Sequence, residues 1–451
     1  MVKETKEQRR ERIITAPLLP LLIKTAIPTI IGMLVTTVYN LTDTFWIGKM
    51  DNKSMTAAVG IVFAFVSFVQ AVGFWFGYGS GNVMSRRLGE GNGEEAEIVS
   101  SNGVVMALVT GIVLMIPMLI WIEPLSGLLG GGASESLMKY TVQYLRVMLI
   151  SVPFSLFATT VYNQLRLCGN VKDGMIGLLA GILVNIILDP ILILSCHMEM
   201  LGAGLATLIG QVVGAVVLTF LSYRHGNIPV RLDRCDFGNG RLYHILAGGA
   251  PNFSRQAITS IASVLLNAAA ADFGETTIAA FTVSSRVAAL GYMVMIGFGQ
   301  GFQPICAMNY GAKKYDRVSK AFRLTVGIGT ALMVIAAAVC VAFAEPFVGI
   351  FSPDDPEVVR IGAVILRYQC ISFPFLAFYA VSSMYMQNCG RYMTALVISV
   401  ARQGIFYIPL LFVLGALWND FGLYIVQPVS DILSFALAAV ILAISRDRMQ
   451  T

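Results

Sequence analysis

Residues 57–89 read AAVGIVFAFVSFVQAVGFWFGYGSGNVMSRRLG, and residues 279–311 read AAFTVSSRVAALGYMVMIGFGQGFQPICAMNYG. Ala57-Ala58 matches Ala279-Ala280, Gly79 matches Gly301 and Gly89 matches Gly311, all at an offset of 222. The registry extends outward. Pro28 pairs with Pro251 at 223, Pro153 with Pro374 at 221, and Cys168-Gly169 with Cys389-Gly390 at 221. So constant an offset across half of a 451-residue chain implies duplication of one unit. Each quoted stretch is long and apolar enough to exceed the ~20 residues that cross a bilayer core. The repeated unit is therefore a bundle of membrane helices.

Composition agrees. The chain is 56% hydrophobic and 13% charged, against about 25% charged in soluble domains. The formal net charge of +5 is not the footprint of a nucleic-acid partner, because the basic residues sit in short loops, as at Lys313-Lys314. The seven cysteines (168, 196, 235, 306, 340, 370, 389) contain no C-x-x-C pair. Most lie in apolar stretches, where packing accounts for them, and neither a zinc site nor a disulfide framework is visible. Met1 to Ile14 is a charged tail. It leads into an apolar run too long for a signal-peptide core and without a small-residue cleavage site, so the first helix is expected to stay.

Twelve spans are expected, at 17–48, 55–82, 98–122, 138–165, 173–195, 201–223, 243–270, 277–309, 319–343, 359–386, 393–415 and 421–444. Several exceed the bilayer thickness, which predicts tilt, kinks or protruding ends. Lys and Arg crowd one set of ends: residues 3–12, Arg86-Arg87, Arg166, Lys172, Arg224 to Arg241, Lys313 to Arg323, Arg391 and Arg446. The opposite ends hold few, chiefly Lys49, Lys53, Lys139 and Arg360. The positive-inside bias puts both termini in the cytoplasm of a multi-pass plasma (inner) membrane protein. Six spans per half make the repeat parallel, with its axis along the membrane normal. The expected organisation is a tail (1–16), a six-helix bundle (17–223), a cytoplasmic linker (224–242), a second bundle (243–445) and a tail (446–451).

Two similar bundles in a bilayer imply transport by rocking about a shared site rather than enzymatic chemistry. No G-x-x-x-x-G-K-[ST] pattern occurs, and Gly130-Gly131-Gly132 is an outer loop. That argues against an ATP-driven pump and for ion-coupled transport or passive conduction. Glycines cluster at 73, 77, 79 and 81 and again at 297, 299 and 301. They allow either close helix packing or a bending zone common to both halves.

Ionisable residues inside spans are costly, which makes each one a functional hypothesis. Asp43 in the first span and Asp189 in the fifth both fall in the outer part of outward-running helices, at similar depth. Tyr39 and Asn40 precede Asp43 by four and three positions, and Asn185 precedes Asp189 by four, on the same helix faces. Thr207 in the sixth span shares their depth. Pro190 leaves the Ile186 carbonyl without its helical donor. These aspartates either cap their helices near the outer interface or form an oxygen-rich site for a proton or a small hard cation such as sodium.

Here the residues resemble a known family. Tyr39-Asn40-Leu41-Thr42-Asp43 with Gly48, Ala57 to Gly60, Arg87-Leu88-Gly89, Asn185 to Asp189-Pro190, Gly202 to Thr207, Gln300 to Pro304 and Asn309 to Ala312 are similar, in order and spacing, to motifs of the multidrug and toxic compound extrusion (MATE) family. The resemblance covers nearly the whole chain. It implies an all-α fold of two six-helix bundles that exports organic cations in exchange for protons or sodium ions, working as a monomer and without other cofactors. It implies further that Asp43, Asn185, Asp189 and Thr207, with Tyr39 and Asn163, form the cation site of the first bundle.

The second half departs from that pattern. Arg255, Arg286, Arg402 and Asp431 each lie about nine to twelve residues into a span, on the order of 13 Å or more deep and near the midplane. No acidic pair like Asp43 and Asp189 stands there. Either Arg402 and Asp431 form a structural ion pair, or the surplus positive charge meets an anionic or zwitterionic group of a substrate or lipid. Phe154, Phe157, Tyr162, Tyr292, Met293, Met295, Gln300, Met384 and Tyr385 are candidates to line a substrate cleft, although packing explains such side chains equally well. The leading expectation is an ion-coupled exporter of small organic cations. The alternative is a flippase or exporter of a lipid-linked or anionic metabolite.

Overall fold

Apolar runs broken by Gly, Pro and Asn become helices, and the described residues contain no strand. The computed structural model describes residues 4–50, 52–224, 226–271, 274–353 and 355–446, without the side chains of 38–44, 267, 271, 275, 420 and 446. Its α-helices are α1 (Lys6–Thr15), α2 (Leu18–Gly48), α3 (Lys53–Gly89), α4 (Gly93–Ile120), α5 (Ile122–Leu129), α6 (Glu135–Leu167), α7 (Val171–Pro190) and α8 (Glu199–Ser222). The second half adds α9 (Arg241–Ala271), α10 (Glu275–Gly311), α11 (Tyr315–Ala342), α12 (Ala344–Phe351), α13 (Pro356–Ile371), α14 (Phe373–Asn388), α15 (Tyr392–Val400) and α16 (Ile408–Arg446).

Among the described residues ten helices are long and apolar enough to span a membrane, or eleven when α13 and α14 count as one bent span. The 31-residue α9, which is outside that count, covers the remaining span expected over 243–270. One span is therefore not the continuous helix expected over 359–386: α13 and α14 meet at Ser372 with a bend of 53°. The last two spans are joined within α16, where Asn419 (φ 48, ψ −130) breaks the helical path. Two π-helical turns, Ile191–Ser195 and Ala401–Tyr407, interrupt otherwise regular spans. The first follows Pro190, whose missing N–H disturbs the ladder there.

The duplication reaches small details. The eight-residue α5 and α12 begin 222 residues apart, each opening with a Glu-Pro pair, Glu123-Pro124 and Glu345-Pro346. At the basic end of the repeat, α6 and α14 finish in left-handed glycines, Gly169 (φ 84) and Gly390 (φ 79). Each lets the next residue's N–H reach back, Asn170 to Leu165 O at 3.0 Å and Arg391 to Met386 O at 2.9 Å.

The chain forms two compact units. Unit 1 comprises Met1–Pro17, Ile31–Phe253 and Ala307–Lys314; unit 2 comprises Leu18–Ile30, Ser254–Cys306 and Tyr315–Thr451. Helices α2, α9 and α10 each pass from one unit to the other, three residues after Pro28, Pro251 and Pro304 respectively. Proline removes a helical hydrogen bond, so these are natural places for a helix to leave one body.

The glycine clusters are packing surfaces within each unit. A Cβ on Gly79 would lie 2.0 Å from Ile245 O, and one on Gly249 would lie 1.8 Å from Trp75 O, beside the Trp75 Nε1 to Leu246 O bond of 2.8 Å. In unit 2 a Cβ on Gly301 would lie 2.6 Å from Ala26 Cα. Thr25 and Thr29 there donate to Gly301 O at 2.8 Å and Gly297 O at 2.6 Å. The N-terminal tail is likewise more than solvated charge. Thr5 and Gln8 form a capping box that starts α1. Ile13 and Ile14 of α1 are buried, and Arg9 donates to Gly226 O at 2.8 Å and Asn227 Oδ1 at 2.6 Å.

Candidate functional site

Asn185 and Asp189 stand one turn apart on α7, and Thr207 faces them from α8. All three are buried, at 1%, 0% and 3% exposure. Asn185 Nδ2 donates to Thr207 Oγ1 at 3.2 Å and lies 3.4 Å from Asp189 Oδ1. Asn185 Oδ1 is buried without a hydrogen-bond partner among the described residues. The three meet because α7 and α8 touch backbone to backbone. A Cβ on Gly210 would lie 2.8 Å from Gly181 O and 3.1 Å from Asn185 Cβ, and one on Gly181 would lie 2.7 Å from Gly210 O. Gly210→Val is therefore expected to force the helices apart, lowering stability by about 1–3 kcal/mol and separating Thr207 from Asn185. Thermal unfolding of the purified variant checks this; a melting curve identical to wild type would refute the contact.

Asn185 and Thr207 also line a cavity of about 140 Å³ inside unit 1. Its polar wall includes Thr36, Gln70, Tyr162 and Gln211, and its apolar wall includes Met33, Phe65 and Phe74. A cluster of carboxylate, amide and hydroxyl beside such a space has the oxygen donors for a sodium ion, and its carboxylate is a proton acceptor. Tyr39 and Asp43 are on the helical backbone of α2, but their side chains lie outside the described residues. Asn163 stands apart from the cluster: its Nδ2 donates to Thr159 O at 2.8 Å, and its Oδ1 accepts from Arg166 Nη2 at 3.0 Å. Phe154 is 39% exposed, whereas Phe157 packs on the buried cluster around Tyr162.

Unit 2 holds a different kind of site. Asp431 on α16 is 2% exposed. Its Oδ1 accepts from Arg402 Nε at 2.7 Å and Gln427 Nε2 at 2.7 Å, and its Oδ2 accepts from Ser372 Oγ at 2.6 Å. The Arg402 guanidinium lies over the Tyr292 ring, 4.6 Å from its centroid. Ser430 Oγ donates to the Arg402 carbonyl, pinning the π-helical turn. Arg255 is half-buried and Arg286 exposed. Of the other candidate cleft residues in this unit, Tyr292 and Met293 are half-buried. Met295 is 1% exposed against Gly329, Gln300 is 2% exposed, and Met384 and Tyr385 are buried, the last against Phe322. Helix packing inside the unit, not an open wall, takes up these four side chains.

Sequence reasoning missed Ser372 and Gln427 as partners of Asp431. Gln427 was legible, since it precedes Asp431 by four positions as Asn185 precedes Asp189. Ser372 comes from a distant span and carries no comparable signal.

The MatE family model matches residues 28–191 and 251–413, once in each half. The chain is 26% identical over 439 residues to the multidrug export protein MepA of Staphylococcus aureus (strain MSSA476), covering 96% of this chain and 95% of that protein. It is 26% identical over 398 residues to MepA of Staphylococcus haemolyticus (strain JCSC1435), covering 88% and 87%. Among solved structures, a MATE crystal structure in complex with MaL6 superimposes with a TM-score of 0.90 at 23% identity, covering 97% of this chain and 98% of that one. An outward-facing multidrug resistance MATE transporter of the MOP superfamily gives 0.89 at 23%, covering 97% of each. Two matches to one family model, set in twelve spanning helices that repeat the same unit, show that this chain belongs to the MATE family of multidrug efflux transporters.

Proposed function

We propose that the protein is a secondary active exporter of organic, drug-like cations, driven by protons or sodium ions moving inward. Asp189, Asn185 and Thr207, joined by Asp43 and Tyr39 from α2, are the proposed coupling site. The observation that carries this reading is the fully buried Asp189 beside Asn185 and Thr207, two residues that line a cavity whose wall is part polar and part aromatic. Burial disfavours the charged carboxylate and favours whatever neutralises it, so ion binding and release are linked to the state of the cavity. Met33, Phe65 and Phe74 offer polarizable surface that suits flat apolar cations. The relatives named as multidrug export proteins support drug-like compounds as the substrates. Transport in proteoliposomes with pH and sodium gradients imposed separately tests the coupling; export that ignores both gradients would overturn it.

The proposed setting is the plasma membrane, with two six-helix bundles (17–223 and 243–445), a monomeric working state, and both termini and the 224–242 linker in the cytoplasm. The Lys/Arg bias supports this orientation. Single cysteines introduced at residues 226–240 are expected to react with impermeant thiol reagents in inside-out vesicles only. Labelling of these positions from the outer face of intact cells would overturn the orientation. A second reading, export of anionic or zwitterionic compounds, is favoured by the arginines of unit 2, and gradient-dependent protection against cationic drugs separates the two.

A further inference from the structure

At the basic end of the repeat, α3 and α10 finish in a crossing of backbone on backbone. A Cβ on Gly89 would lie 2.2 Å from Met308 O, and one on Gly311 would lie 2.1 Å from Arg86 O. This is one contact made twice, because Gly89 matches Gly311 and Arg86 matches Met308 at the offset of 222. Both helix ends belong to unit 1, which takes in Ala307–Lys314. Helix α1, in the same unit, is fastened to both sides of the crossing. On the α3 side, Arg10 Nε donates to Gly89 O at 3.0 Å. On the α10 side, Asn309 Nδ2 donates to Ile13 O at 3.3 Å and Lys314 Nζ to Ile14 O at 3.1 Å. The far end of α1 is pinned by Lys6 Nζ to Glu97 Oε1 of α4 at 2.5 Å. Ile13 covers the end of α6, where a Cβ on Gly169 would lie 2.4 Å from Ile13 Cδ1. Docking is what keeps α1 formed, since a helix of ten residues is marginal in water by itself. Ala16 is extended (φ −60, ψ 153), so α1 is not continuous with α2 and has a hinge behind it.

We propose that α1 is a strap across the crossing of α3 and α10, and that it lifts about the Ala16 hinge before these two helix ends part during transport. One short helix holds hydrogen bonds to both ends, so separating the ends by even a few ångström breaks the bonds on one side. In the proposed orientation this is the cytoplasmic end, where a substrate enters. The part played in the transport cycle rests on the transport reading, whereas the fastening does not.

The test uses Cys168 as reporter. It stands beside Gly169, is 3% exposed, and its Sγ donates to Leu165 O at 3.1 Å. Its labelling by a polar maleimide is followed by mass spectrometry on the purified full-length protein in micelles. Ile13→Ser, which weakens the docked face of α1, is expected to raise the labelling rate about tenfold or more. Lys6→Cys/Glu97→Cys bridged by a reducible bismethanethiosulfonate fixes α1 at the end farthest from its hinge. The bridge is expected to lower the rate to about a tenth or less, and dithiothreitol to restore it. The two single-cysteine variants, treated alike, are the controls. Neither Lys6 nor Glu97 is buried, so the bridged protein decides the matter if Ile13→Ser does not fold. A Cys168 rate unchanged by the bridge would overturn the strap. In inside-out vesicles under an imposed gradient, the bridge is expected to stop drug accumulation and dithiothreitol to restore it. Accumulation at the unbridged rate would overturn the need for α1 to lift. If neither form accumulates drug, the transport reading fails, and the labelling contrast still decides whether α1 is fastened.

Discussion

Asp189→Asn is expected to abolish gradient-driven export while the protein stays folded. The substitution keeps nearly the same volume and a hydrogen-bonding head beside Asn185 and Thr207, but removes the group that can gain and lose a charge. One elementary charge moving through 100 mV supplies about 2.3 kcal/mol, a roughly 50-fold concentration ratio. Without a coupling carboxylate that driving force no longer reaches the substrate. Drug accumulation by inside-out vesicles under an imposed gradient should therefore fall to the level of simple leak, whereas binding of the drug to purified protein should persist. Asp43→Asn is expected to impair export in the same direction, because the proposed coupling site shares the ion between Asp189 and Asp43, which the sequence puts at similar depth. If Asp189→Asn vesicles accumulate drug at the wild-type rate, Asp189 is a structural residue and the coupling site lies elsewhere.

Much of this architecture was readable because duplication writes each feature twice. The offset that matches Gly79 to Gly301 also aligns α5 with α12, whose Glu-Pro openings went unread as helix starts. The repeat misleads where tertiary context decides. Pro153 and Pro374 occupy equivalent positions, yet Pro153 sits inside the unbroken α6, whereas Pro374 opens α14 after a 53° bend. A proline weakens one helical bond in either place. What differs is the partner of Ser372, whose hydroxyl donates to Asp431 Oδ2 at 2.6 Å and lies 3.0 Å from Gln369 O as a second acceptor, whereas the equivalent Ser151 donates to Met148 O at 2.7 Å. Asp431 stands 59 positions away, and local sequence does not encode it. The same holds for the site. Asn185 and Asp189 were legible from helical spacing and from the cost of burying a carboxylate, and Thr207 from its depth. The glycine contact that brings α8 against α7 was not, because Gly181 and Gly210 resemble every other small residue in an apolar helix.

Breaking the Arg402–Asp431 pair one side at a time is expected to be far more damaging than removing it whole. Asp431 is 1% exposed at its side chain and Arg402 15%, joined at 2.7 Å near the middle of their spans. Arg402→Met leaves a buried carboxylate with only the Ser372 and Gln427 donors. Asp431→Leu leaves a guanidinium with only the Tyr292 ring, a contact worth about 0.5–2 kcal/mol. Each single substitution should cost on the order of 3–5 kcal/mol, because an uncompensated charge remains in low dielectric. The double substitution strands no charge and replaces the pair with apolar volume, so it should cost less than either single change. The coupling recovered from the cycle should therefore be about 3 kcal/mol or more, since the double loss falls below either single loss. Folded yield and thermal unfolding of the four proteins provide the measurement. Additive losses would mean that the two side chains act independently.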